Sequence, residues 1–182
     1  GTRILKTTNG GDEWITYMYP EENRFIKSIY FLDSANGFFA GAPLSILYTT
    51  DAGMRWNFAD TDTSLILGFP VENIKFLNSN TGYACGGFRD IAGSMWVSTN
   101  GGYNWRASVV GPEPLNDLYI FNNSNAIAAG GDFEYGSSTV RTSNLGNNWL
   151  YDTLGTFGVA SGIDFRTAYE GWITLGIAQK FA

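Results

Sequence analysis

The chain contains no histidine, one cysteine (Cys85) and five prolines among its 182 residues. Without histidine it lacks the commonest general base and the commonest metal ligand. A single cysteine excludes an internal disulfide. With no histidine to activate it, Cys85 reads as an inert core thiol rather than a nucleophile. Charge is sparse as well. Asp, Glu, Lys and Arg make up 15% of the residues, the net charge is -6, and the 11 basic residues form no stripe. This argues against nucleic acid and anionic membrane surfaces as partners. No apolar run reaches the length of a membrane-spanning helix, so no transmembrane segment is expected. The chain opens at Gly1 with neither Met nor signal peptide. Such a start is expected of a processed end or of a cut inside a longer chain.

Glycine and aromatic residues are abundant: 23 of the first, and 16% of the second. They recur in a fixed phrase. "TTNGGDEW" (7–14), "TTDAGMRW" (49–56), "STNGGYNW" (98–105) and "TSNLGNNW" (142–149) all read Ser/Thr, any residue, Asn/Asp, any residue, Gly, two free residues, Trp. Steps between Asn9, Asp51, Asn100 and Asn144 are 42, 49 and 44 residues. A second phrase runs out of phase with the first, in "SIYFLDSANGFFAG", "NIKFLNSNTGYACGG", "DLYIFNNSNAIAAGG" and "GIDFRTAYEGWITLG". From Ile29 through Ile74 and Leu118 to Ile163 its steps are 45, 44 and 45. Two phrases sharing one period establish a true internal repeat.

Each period divides into four short apolar runs, for example Ile74 to Leu77, Gly82 to Gly87, Ile46 to Thr49 and Arg55 to Ala59. Helical periodicity is lacking, and few stretches of ten residues escape Gly or Pro. Four antiparallel strands per 45 residues is the pattern of a β-propeller blade. The fold class is therefore all-β, with residues 1–182 forming four propeller repeats in one domain or part of one.

The eight-residue phrase resembles the Asp-box, or BNR repeat. Its pairing with the second phrase is most similar to photosystem II assembly-factor-like propeller repeats, which occur in many secreted and cell-envelope bacterial proteins. The resemblance spans essentially the whole chain. It implies a ring of about five to eight blades, and hence an incompletely represented larger propeller. It also implies a secreted, periplasmic or cell-surface location. For activity it implies little, because the box is a folding device shared by proteins with unrelated functions.

The box reads chemically as a turn lock. Asn9, Asp51, Asn100 and Asn144 offer a side-chain oxygen to backbone N–H groups, and Thr7, Thr49, Ser98 and Thr142 offer a hydroxyl. Three of the four acceptors are amides, so no calcium is needed there. Gly11, Gly53, Gly102 and Gly146 suit a position with φ > 0. Trp14, Trp56, Trp105 and Trp149 are expected to fold back over the hairpin. Burying ~150–250 Å² of such a ring stabilises by about 4–6 kcal/mol at most. By alignment, Trp96 (with Leu5, Leu47 and Val140) and Trp172 (with Phe38, Tyr83 and Ile127) belong to the blade core. Cys85 aligns with the small residues Ala40, Ala129 and Thr174.

In a four-stranded meander, the first turn and the box share one rim. The second-to-third loops and the crossovers share the other. Variable loops fall on the second rim: "PEENR" (20–24), "DTDTSLILGFP" (60–70), "FRDIAGS" (88–94) and "DFEYGSS" (132–138). They carry the candidate binding residues Arg24, Asp60, Asp62, Arg89, Asp90, Asp132 and Glu134, beside Glu21 and Glu22. An enzyme reading finds little to build on. Arg55 and Arg141 sit beside box hairpins, the arginine motif of sialidases is missing, and no pair of carboxylates stands out by spacing. The expected function is a non-catalytic scaffold for protein binding or complex assembly outside the cytoplasm or at the envelope, with no cofactor and no metal. The alternative is a fragment or subunit of a carbohydrate-active enzyme, or a glycan-binding module.

Two expectations concern the chain ends. "RILKT" reads as a third strand and "GWITLG" as a second, so joined ends would complete one blade. Pairing of Leu5 with Ile173 would mark a closed four-bladed ring, and separation of the two a larger propeller.

Overall fold

Apolar runs this short form strands because Gly, Asn and Asp turn the chain cheaply between them. The computed structural model describes residues 2–19, 24–43, 45–62 and 68–176, which form strands and no helix. A leading half-blade pairs β1 (Arg3–Lys6) with β2 (Ile15–Met18). The first complete blade follows as β3 (Phe25–Phe31), β4 (Gly37–Ala42), β5 (Ser45–Thr49) and β6 (Asn57–Phe58). After a short β7 (Asp60–Thr61), the second comprises β8 (Val71–Phe76), β9 (Gly82–Phe88), β10 (Ala92–Ser98) and β11 (Asn104–Gly111). The third comprises β12 (Leu115–Ile120), β13 (Ala126–Asp132), β14 (Gly136–Thr142) and β15 (Leu150–Thr153). A trailing half-blade pairs β16 (Val159–Thr167) with β17 (Glu170–Gly176). Among the described residues all pairs are antiparallel except one. β7 runs parallel to β11, Asp60 opposite Asn104 and Thr61 opposite Trp105, giving the second blade a fifth strand.

Leu5 pairs with Thr16, and Ile173 pairs with Ile163 on a separate sheet. Among the described residues the two half-blades share no strand pairing, so these strands do not close a four-bladed ring. The arrangement is part of a larger propeller.

Alternation of side chains along a strand lets each central blade bury both faces. From the second blade, Ala84 and Trp96 pack with Phe38 and Ile46 of the first. Tyr83, Cys85, Met95 and Val97 point the other way and pack with Leu115, Leu118 and Ala128 of the third. Cys85 is fully buried, and burial pushes its thiol far above the ordinary range, so it is an inert packing group.

The second repeated phrase is explained by a ring lying across a glycine. Phe31 pairs with Gly37, Phe76 with Gly82 and Phe165 with Gly171, and a Cβ at each glycine would stand 2.6 Å from the ring. Where the phrase has Ile120 instead of Phe, its partner is Ala126.

The first strands lie side by side and each carries a bulge at the same place. A polar ladder crosses the blades there. Ser28 donates to Asn73 Oδ1 (3.0 Å), Asn73 Nδ2 to Asp117 Oδ1 (2.7 Å), and Ile163 N to Asp117 Oδ2 (3.0 Å). Lys75 adds an ion pair to Asp117 at 2.7 Å.

Candidate functional site

The two rims differ in how their polar groups are spent. At the box rim the same bonds recur four times. The Thr or Ser hydroxyl donates to the Asn or Asp oxygen two residues on and accepts the N–H of the box glycine, at 2.9–3.0 Å. That Asn or Asp oxygen also accepts the N–H four residues on, from Glu13, Arg55, Asn104 and Asn148. The glycines at 11, 53, 102 and 146 all have positive φ, between 69° and 104°. The residue before each is left-handed too, even where it is Ala52 or Leu145. The box then docks on the first turn of its own blade. Ala52 N bonds Ala35 O, Gly101 N bonds Asn80 O, and Leu145 N bonds Ser124 O.

The tryptophans are not equivalent. Trp105 is 2% exposed and donates from Nε1 to Gly102 O (2.8 Å), and Trp56 stacks on Phe39 with centroids 3.6 Å apart. Trp149 is half-buried, and its ring meets Tyr83 edge-on. Trp14 is 56% exposed because it borders a cleft between the leading half-blade and the first blade. This cleft, about 880 Å³, is lined by Leu5, Tyr17, Met18, Ile29 and Phe31 among others, on the flank where a complete blade carries its inner strands. Trp172, expected in the blade core with Phe38 and Tyr83, is also 56% exposed. It lies on the edge strand of a two-stranded sheet, with no further blade covering it among the described residues.

The other rim brings together Arg89, Asp90, Asp132 and Glu134. Arg89 and Asp90 form the exposed β9–β10 turn, 3.9 Å apart. Asp132 ends β13 and is 3% exposed; its Oδ1 accepts the N–H groups of Glu134 (2.9 Å) and Tyr135 (2.6 Å). Arg24 stands further along this rim, beside the β4–β5 turn, where Nη1 reaches Pro43 O (3.5 Å) and the guanidinium lies 5.0 Å from the Phe58 ring centre. Asp60 and Asp62 are elsewhere. They were expected on this rim but lie against the box hairpin of the second blade. Their N–H groups bond Tyr103 O and Trp105 O, and Asn104 donates to Asp60 Oδ2 (2.8 Å). The reason is β6, which stops after two residues and lets the chain cross early to the outer edge of the next blade. Glu21 and Glu22 lie outside the described residues.

Sequence reasoning missed Glu113. It sits between Pro112 and Pro114 in the β11–β12 crossover and is 3% exposed. The crossover packs against Gly87 and Gly93, where a Cβ would collide with Pro114 and with the Glu113 carbonyl. Those glycines let the carboxylate descend between two blades. Glu113 Oε2 accepts the Asp90 N–H at 3.2 Å. Burial above all holds this carboxyl above its usual range. The neighbouring Asp132 and Asp90 charges act in the same direction, against the Asp90 hydrogen bond. One oxygen from each of Asp90, Glu113 and Asp132 lies within 4.8 Å of the others, a set that could hold a cation.

With this geometry in hand, the likenesses to known proteins are specific. Residues 1–159 match the family described as Photosynthesis system II assembly factor YCF48. The photosystem II stability/assembly factor HCF136 of Oryza sativa subsp. japonica is 32% identical over 116 residues, covering 60% of this chain and 26% of that protein. The photosystem II assembly lipoprotein Ycf48 of Synechococcus sp. (strain CC9902) is 28% identical over 108 residues, covering 58% and 31%. Among solved structures, YCF48 bound to D1 peptide superimposes with a TM-score of 0.64 at 20% identity, over 95% of this chain and 56% of that one. The GH74 enzyme of Niastella koreensis has the same score at 16% identity, over 88% of this chain and 30% of the enzyme. The chain thus spans a quarter to a third of its curated relatives. A protein named as an assembly factor and one named as an enzyme share the fold, so the fold alone does not assign a function.

Proposed function

The chain belongs to the photosystem II assembly factor YCF48 family, and on that premise we propose that it is a non-catalytic propeller scaffold that binds a protein partner during complex assembly. The observation that carries the proposal is the contrast between rims. Box-rim turn groups are consumed by the hairpins themselves, whereas the Arg89 and Asp90 side chains on the loop rim are 62% and 63% exposed. Charged loops on a rigid scaffold are where recognition concentrates. The partner surface is accordingly Arg24, Arg89, Asp90 and Glu134, with the buried Asp132 holding the Glu134 turn from beneath. A solved structure described as YCF48 bound to D1 peptide supports a polypeptide ligand, and a relative named as a lipoprotein supports a site of action at the envelope or otherwise outside the cytoplasm.

The test is crosslinking of the folded protein in a native extract, followed by mapping of the crosslinked residues. We expect crosslinks on the loop rim, and loss of the recovered partner when Arg24 and Arg89 are replaced by Glu. Crosslinks confined to the box hairpins would overturn the placement. A glycan array and a hydrolysis screen against sialosides and β-glucans test the scaffold reading itself. Turnover abolished by replacing one loop carboxylate would overturn it.

A further inference from the structure

We propose that Asp90, Glu113 and Asp132 form a calcium site that clamps two adjacent blades at the loop rim. Three separate segments deliver the ligands: the β9–β10 turn of the second blade, the β11–β12 crossover and the end of β13 in the third. Their oxygens lie within 4.8 Å of one another, about twice a Ca–O bond length of ~2.3–2.6 Å.

The second, independent observation is an orphaned atom. Asp132 is 97% hidden, since its exposure is 3%, and its Oδ2 is sealed from solvent without a hydrogen-bond partner. An ionised carboxylate oxygen in that position has a large desolvation cost unless a cation or proton meets it. No ion pair reaches Glu113 or Asp132 among the described residues. Two buried carboxylates therefore repel one another, with the exposed Asp90 at the mouth.

The donor set selects the ion. All ligands are oxygens, and the open side at Asp90 leaves room for waters. Calcium accepts such irregular, partly hydrated geometry, whereas magnesium demands a near-ideal octahedron. A dissociation constant on the order of 10⁻⁴ M is expected, as for extracellular calcium modules. The bound ion would fix the β9–β10 turn relative to the third blade, and so stiffen Arg89 and Glu134 beside it. The site does not depend on the identity of the partner.

Thermal melts of the chelator-stripped protein with 5 mM CaCl₂ or MgCl₂, together with calorimetric titration of Ca²⁺, test the proposal. Calcium should raise the melting temperature by about 5 °C. Asp132→Asn keeps an oxygen for the Glu134 and Tyr135 N–H groups, so it should fold while binding calcium at least tenfold more weakly. Glu113→Gln should do the same, and Asp90→Asn, at an exposed position, supplies a variant whose folding is not in doubt. Asp152→Asn, on exposed β15, should leave the calcium shift intact. The proposal is overturned if the wild-type protein shows no calcium response or responds equally to magnesium. Undiminished binding in Asp132→Asn, Glu113→Gln and Asp90→Asn would overturn it as well.

Discussion

The box rim and the loop rim are built from the same strands, yet one is closed chemically and the other is open. At the box rim every repeat spends the same hydroxyl, the same Asn or Asp oxygen and the same left-handed glycine on its own backbone. Those turn groups are not free for a partner, although Trp14 is exposed and Trp149 Nε1 is buried without a hydrogen-bond partner. At the loop rim each turn differs, charges are exposed, and a buried carboxylate has an oxygen with no protein partner. The difference teaches where repetition should be read as stability and where irregularity should be read as recognition.

The largest expected effect breaks the box rim at its best-buried point. Trp105→Ala should destabilise by about 3 kcal/mol or more, because the ring is 2% exposed and touches Phe76 edge-on. Trp14→Ala, at 56% exposure, should cost about 1 kcal/mol or less. Denaturant midpoints measure both. An unchanged midpoint for Trp105→Ala would mean that the ring is free to meet a ligand. Next comes Gly82→Ala. The added methyl would meet the Phe76 ring at 2.6 Å, and Phe76 is itself held by Phe38 and Trp105, so a loss of about 1–3 kcal/mol is expected.

Asn100→Ala removes the acceptor for the Asn104 N–H and should cost about 1 kcal/mol in the same melts. On the loop rim the expectation reverses. Arg89→Ala and Glu134→Ala should stay within about 0.5 kcal/mol of wild type while weakening partner capture. A destabilisation comparable to Asn100→Ala would make the loop rim a structural element and erase the contrast.

The contrast between rims also marks how far the sequence could be read. The box and the Phe-over-Gly phrase were legible because steric and dihedral constraints recur in every repeat and leave the same residue each time. Ile120 with Ala126 breaks that phrase in a compensated way, replacing a ring by a smaller side chain where the glycine gains a methyl. The exposure of Trp14 and Trp172 was not legible. Alignment gives a position on a blade, but whether a neighbouring blade covers it depends on structure beyond the repeat. Asp60 and Asp62 were misplaced because nothing in "RWNFADTD" announces that β6 ends at Phe58 and that the chain then pairs parallel with the next blade. Glu113 recurs in no other repeat. Its only sequence signal is the stiff Pro-Glu-Pro crossover, whose descent between blades depends on the distant glycines Gly87 and Gly93.

The smallest expected effect divides the box rim within itself, by pH. In the first turn, Asp33 accepts the N–H groups of Ala35 and Asn36, a role taken by Asn78 and Asn122 in the next two blades. In the box, Asp51 stands where the others have Asn9, Asn100 and Asn144. The first complete blade thus carries a titrating carboxylate in both turns. The side-chain hydrogen bond from Asn36 and the backbone N–H groups hold Asp33 below the ordinary value of 3.8. For Asp51, the Arg55 N–H and then the Thr49 hydroxyl do the same. A carboxylate with a lowered native value binds fewer protons folded than unfolded. Its stabilisation is therefore present above the unfolded value and lost as pH falls through the native one. Asp33 is exposed and Asp51 half-buried; an amide oxygen can accept the same N–H groups at either place, so Asp33→Asn with Asp51→Asn should melt like wild type at pH 7. As pH falls below the ordinary value of 3.8 the double variant should lose less stability than wild type, since its two turns no longer protonate. Melts across that range decide the matter. Parallel acid profiles would show that these two turns do not set the acid limit of the box rim.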